Sequence, residues 1–128
     1  MSVIIYEIGT VKTDMVAEIK TASVLISTVD TWHPLKTLGS NYVVPAGKTL
    51  KLSSLQMVNG DNISLPGKLC YMNDASGSGA VTIVEMSVPP ESAVHIPVMV
   101  DIPAGKYLGG WSSGRTSQVT VIIGGFEV

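Results

Sequence analysis

Val44-Pro45-Ala46-Gly47-Lys48-Thr49-Leu50 returns later in the chain as Ile102-Pro103-Ala104-Gly105-Lys106-Tyr107-Leu108. The shared pattern is apolar, Pro, Ala, Gly, Lys, any residue, Leu, and each copy lies between runs rich in β-branched residues. Pro45 and Pro103 preset φ for the first corner of a tight turn, and Gly47 and Gly105 supply the positive φ that ends it. The local expectation is a type I turn closed by a glycine bulge, joining two antiparallel strands. Two copies in 128 residues suggest two similarly built halves, as in a pair of Greek keys.

Outward from the repeat, short β-rich runs alternate with turn signals. Tyr42-Val43-Val44 and Leu50-Lys51-Leu52 flank the first copy, with Leu55, Met57 and Val58 continuing the second run. Asn59-Gly60-Asp61-Asn62 marks a turn, 68–72 a strand, 73–79 a flexible loop, and 81–86 a half-buried strand by its alternation. Val94, Ile96, Val98 and Val100 alternate into the second copy, and Pro97 within that run points to a sheet edge or a bulge. Residues 108–115 read as a Gly and Ser loop, and 118–123 as the last strand before 124–128. Short strands with a turn every eight to twelve residues imply an all-β antiparallel sandwich, with jelly roll the expected topology.

The first thirty residues are ambiguous. Residues 1–8 suit a strand or an extended arm. Met15, Ile19, Ala22, Ile26 and Val29 step at helical spacing after a possible cap at Thr13 or Asp14, whereas the Thr, Ser, Val and Ile content of 21–31 favours a strand. The expected organisation is therefore an N-terminal arm, extra strand or helix over 1–30 and a sandwich over 31–128.

Charged residues make up 14% of the chain, against about 25% in an average soluble domain. No apolar run approaches the length of a membrane helix, so the excess hydrophobicity must be buried in protein. Two explanations stand: a surface that packs against copies of itself or a larger assembly, or a well-filled sandwich with Ser and Thr outside. A net charge of −2 with scattered Lys and Arg argues against a nucleic-acid partner. The single Cys70 suits a small apolar strand residue. The start of the chain lacks the basic region and cleavage site of a secretory signal, which suggests synthesis and folding in a cytoplasm.

Catalytic chemistry finds little to build on. His33 and His95 belong to no nucleophilic or metal motif, and a carboxylate pair for glycoside hydrolysis would have to come from Glu7, Glu18, Glu85 and Glu91. Asn59-Gly60-Asp61-Asn62 offers oxygen ligands for calcium but has one carboxylate and lacks the regular spacing, so a plain turn is expected. No catalytic residue, metal or cofactor is assigned. Trp32 and Trp111, both in expected connections, are candidate contact residues for a partner or a sugar ring, the alternative being plugs at the ends of the core. Arg115, the one arginine of the chain, would anchor a salt bridge between subunits.

The 42–52 segment, 98–106 and the ending Val119-Thr120-Val121-Ile122-Ile123-Gly124-Gly125-Phe126-Glu127-Val128 resemble small jelly-roll virion proteins of tailed bacteriophages. That family includes capsid decoration (cement) proteins and related head or tail fibre knobs. The resemblance covers residues 40–128. It implies a non-enzymatic protein, made in the host cytoplasm, that binds the major capsid protein on the outer face of the head, often as a homotrimer. Under it, residues 1–12, with Val3, Ile5 and Tyr6, would reach a neighbouring subunit, and Trp32, His33, Trp111 and Arg115 would make contacts. The alternative is a receptor- or carbohydrate-binding knob using Trp32 or Trp111 as a stacking platform.

Overall fold

A computed structural model describes residues 18–128. The described residues form two antiparallel sheets and no helix. In chain order the strands are β1 Glu18–Leu25, β2 His33–Pro34, β3 Lys36–Thr37, β4 Ser40–Asn41, β5 Leu50–Asn59, β6 Leu65–Met72, β7 Val81–Val88, β8 Ser92–Ile102, β9 Tyr107–Ser112 and β10 Val119–Glu127. One sheet runs β4-β3-β1-β10-β5-β8, the other β2-β9-β6-β7. The protein is a β-sandwich.

Within the described part of the ambiguous region, Glu18–Leu25 is a strand. β1 pairs with β10 from Glu18↔Glu127 to Leu25↔Thr120 and with β3 at Ser23↔Lys36. Ala22 and Ile26 enter the core while Thr21, Ser23 and Leu25 face out, so their four-residue spacing is also an even number of strand steps. Within the expected N-terminal region 1–30, residues 18–25 thus supply a strand of the larger sheet. Val3, Ile5, Tyr6, Glu7 and Met15 lie outside the described residues.

The core lies between the sheets, where Leu52, Leu55, Met57, Leu69, Leu108, Val121 and Ile123 are buried. β5 alternates buried and exposed positions along much of its length, as a strand covered on one face must. Pro97 lies on β8, at the edge of its sheet and beside a register shift, where a missing N–H costs no ladder bond.

The repeated phrase makes a different turn from the one expected. In both copies the Lys N–H donates to the Pro carbonyl three residues back, at 3.1 Å for Lys48 and 3.4 Å for Lys106. Pro is thus the first residue of the turn, and Gly47 and Gly105, with φ of 75° and 81°, are its third. That is the type II arrangement. Nor do the copies join neighbouring strands: the second carries the chain from β8 in one sheet to β9 in the other. The first carries it from Val43, which bridges to Tyr107 of β9, into β5 of the opposite sheet. The two crossings lie side by side, with Val44 N–H donating to Lys106 O and Gly105 N–H to Val44 O. Val44, Leu50, Ile102 and Leu108, the apolar ends of both phrases, are all buried.

Most of one expected loop is a strand, and the last strand runs further than expected. Residues 107–112 form β9 because Gly109 and Gly110 permit close packing: a Cβ at Gly109 would stand 2.8 Å from the Met72 side chain, and one at Gly110 3.0 Å from Val121. The last strand continues through Gly124-Gly125 to Glu127, with a register shift against β5 at the glycine pair.

Candidate functional site

Two surfaces collect the residues singled out from the sequence. The first lies on the outer face of the four-stranded sheet. Lys68 of β6 stands between Trp111 of β9 and Glu85 of β7 in the ladder, so the three side chains share a face. The Lys68 ammonium sits 4.2 Å from the Trp111 ring centre and 3.8 Å from a Glu85 oxygen. Trp32, at the entry to β2, meets Trp111 with ring centres 6.5 Å apart and planes tilted by 51°. Both indoles are half-buried, which places them between the exposed platform and the core plug that the sequence left open.

What half-covers this face is the loop 73–80. A Cβ at Gly77 would lie 2.7 Å from the Trp32 ring, and Asp74 Oδ1 accepts from Ser76 and Ser78 N–H to hold the loop's shape. Beside the tryptophans, Cys70 and Met72 face away from the inter-sheet core yet are fully buried. Burial pushes the Cys70 thiol up to about 12, partly offset by a backbone hydrogen bond at Gly109. The thiol is inert at neutral pH.

His33 and Arg115 are engaged within the chain. Thr28 N–H donates to His33 Nε2 at 3.2 Å, so the ring proton lies on Nδ1, which donates to Thr31 O at 2.9 Å. His33 thereby ties together the turn leading into β2. Arg115 Nη1 donates to Asp61 Oδ1 at 2.9 Å, an ion pair within the chain. Asp61 is only 6% exposed and its Oδ2 has no partner among the described residues, so Arg115 supplies its countercharge. In the same turn Asn59 accepts from Asp61 N–H and donates to Ile63 O and Val88 O. The Asn59 side chain and Asp61 Oδ1, two of the groups considered for calcium, shape the turn. Glu85 faces Lys68, and Glu91 occupies a turn at φ 49°.

The second surface is the outer face of the six-stranded sheet, and it was not located from the sequence. Register sets three rows across β1, β10, β5 and β8: Leu25, Thr120, Val58, Ala93; Ser23, Ile122, Gln56, His95; Thr21, Gly124, Ser54, Pro97. None of these is Asp, Glu, Lys or Arg. A fourth row brings Phe126, Lys51 and Asp101 together, with Lys51 Nζ 3.1 Å from Asp101. There the sheet carries a groove of about 260 Å³ lined by Lys51, Leu52, Ser53, Met99, Val100, Asp101 and Phe126. Register shifts at Leu52/Ser54 and Gly124/Gly125 flank it, and the regular alternation of β8 points Met99 outward, 95% exposed. The outward alternation was readable strand by strand. Which strands stand side by side, and hence that their uncharged positions merge, was not.

Among the described residues no helix is long and apolar enough to cross a membrane, and no three His, Cys, Asp or Glu side chains gather as a metal site. Compared with known proteins, the chain matches no family model and no curated protein.

Proposed function

We propose that this chain is a non-enzymatic assembly protein that works by covering surface, and specifically a capsid decoration protein on the outside of a phage head. Its partners are the major capsid protein and further copies of itself in a homotrimer. The observation that carries the reading is the outer face of the six-stranded sheet, three rows deep and four strands wide without a formal charge. At strand and residue spacing those rows span on the order of 400 Å², about half of what each partner gives to a standard interface. The free edge of β8 and residues 1–12 would supply the rest.

The strand order supports the jelly-roll part of the reading. β1-β10-β5-β8 faces β2-β9-β6-β7, and the two like phrases cross between the sheets side by side, as two interleaved Greek keys would. The test is solution mass by light scattering, followed by co-sedimentation with purified tailed-phage shells. A trimer that Ile122→Glu disperses without changing the circular dichroism spectrum, and that pellets with shells, is expected. A monomer at all concentrations that also stays in the supernatant overturns the proposal.

The Trp32 and Trp111 contact favours a second reading, a carbohydrate-binding knob, because two half-exposed indoles on one sheet face offer a stacking surface. Lys68 already lies over Trp111, which leaves Trp32 as the platform. Tryptophan fluorescence titrated with bacterial surface polysaccharide distinguishes the two: a saturable change that Trp32→Ala removes supports the knob.

A further inference from the structure

Leu38 is the most exposed large apolar side chain among the described residues, and its backbone is held where an aliphatic residue is costly. It stands at the tip of the two-residue hairpin between β3 and β4, with φ of 51° at Leu38 and 82° at Gly39. Positive φ at both central residues is the type I′ pattern, whose first position favours Asn, Asp or Gly. The fold gains nothing from the leucine, since its side chain lies wholly in solvent. An apolar group kept there despite strain and exposure is placed to be covered from outside the chain.

The groove at Met99 and Phe126 lies near the opposite edge of the same sheet, with room for a leucine side chain in its 260 Å³. From Lys36, opposite Ser23, β3 runs antiparallel to β1, so the hairpin tip points toward the end of the sheet that holds Phe126, Lys51 and Asp101. Leu38 and the groove are therefore about two residue steps, roughly 7 Å, apart in level. Across the sheet, β3 and β8 are four strand spacings, roughly 19 Å, apart, so the two cannot meet within one chain. Charge agrees with a meeting between chains. Lys36 is the one charged residue of 36–41, shares the outer face with Ser23 and has no ion-pair partner among the described residues. Asp101 is the one formal charge of β8, on the rim of the groove.

We infer that copies of this chain join head to tail, Leu38 of one copy entering the groove at Met99 and Phe126 of the next, with Lys36 reaching Asp101. The inference rests on the assembly reading above and adds to it the residues that join one copy to another. A contact between two different patches repeats around a ring instead of closing a pair. Three sheets set as the sides of a triangle, outer faces turned inward, bring each hairpin edge against the next copy's β8 and gather Ile122 and Gln56 at the axis. The exposed thioether of Met99 adapts to the shape of an entering side chain.

The test uses the full chain as Leu38→Asp and as Met99→Glu, each alone and the two mixed in equal amounts, with solution mass read by light scattering. Both positions are exposed and Asp suits a positive φ, so circular dichroism should stay unchanged and Leu38→Asp should not lower the denaturant midpoint. Each variant alone should need at least roughly ten-fold more protein to associate than the wild type, the loss expected from one leucine left in water. The mixture keeps one intact contact, Leu38 of the Met99→Glu copy in the groove of the Leu38→Asp copy. It should form pairs of unlike copies at a concentration at least roughly ten-fold lower than either variant needs alone. Leu38→Asp that associates like the wild type, or a mixture that behaves as its separate parts, overturns the contact and leaves the assembly reading to wild-type mass and shell pelleting. A wild type that is monomeric at every concentration also overturns the contact, and shell pelleting then decides the assembly reading separately.

Discussion

A few side chains stand where no substitute fits, for reasons of distance. A Cβ at Gly125 would lie 2.7 Å from the Lys51 carbonyl oxygen, a backbone atom that cannot step aside. Gly125→Ala should cost about 2 kcal/mol or more in urea unfolding. Arg115→Ala should cost about 2 kcal/mol by stripping the countercharge from buried Asp61, solvent at the half-exposed guanidinium keeping the figure from rising further. Adding Asp61→Asn to that variant should recover part of the loss, and a double-mutant cycle reads it. Cys70 predicts a pH effect. Its folded value, about 12, lies above its ordinary 9.0, so from pH 9 upward the unfolded chain loses the thiol proton first and stability falls. The stability difference between the wild type and Cys70→Ala should be flat below pH 8 and shift against the wild type above 9. The sequence showed Cys70 as a buried strand residue. It did not show the Arg115 partner, because the 54 positions separating it from Asp61 close only through the register of whole sheets.

At the scale of elements, the repeated phrase carried its local chemistry plainly: Pro, Gly and the apolar ends all act in the turn. Its topological meaning was hidden. A tight turn with Pro and Gly reads the same whether the next strand pairs with the last or crosses to the other sheet, and non-local packing decides between them. Gly47 and Gly105 stand at positive φ with open space around them, so replacement meets backbone strain alone. Gly47→Ala and Gly105→Ala should each cost about 1 to 2 kcal/mol. Similar losses, measured by denaturant midpoints, are expected because the copies are built alike. β9 was misread for a related reason: glycines that suggest a loop in one dimension are, in three, what lets β9 approach Met72 and Val121.

Across the whole molecule the low charge of the chain is unevenly spread. Lys51, Lys68, Glu85 and Asp101 form ion pairs near the ends or on the smaller sheet, while the middle of the larger sheet has none. Composition alone posed the question of where the uncharged surface lies; only strand order answers it. On the proposed assembly, a charge introduced at the middle, as in Gln56→Lys, should leave the melting temperature within a few degrees and abolish the association of copies, whereas Glu85→Gln on the other sheet should not change it. The placing of β10 has a further result. It lies between β1 and β5, which have no contact ladder of their own, so the larger sheet is split in two until residues 119–127 arrive. Among the described strands that central stave leaves the ribosome last. Until then the nascent chain holds two open apolar edges that await the same late insertion, and it is in this interval that chaperones have most to do.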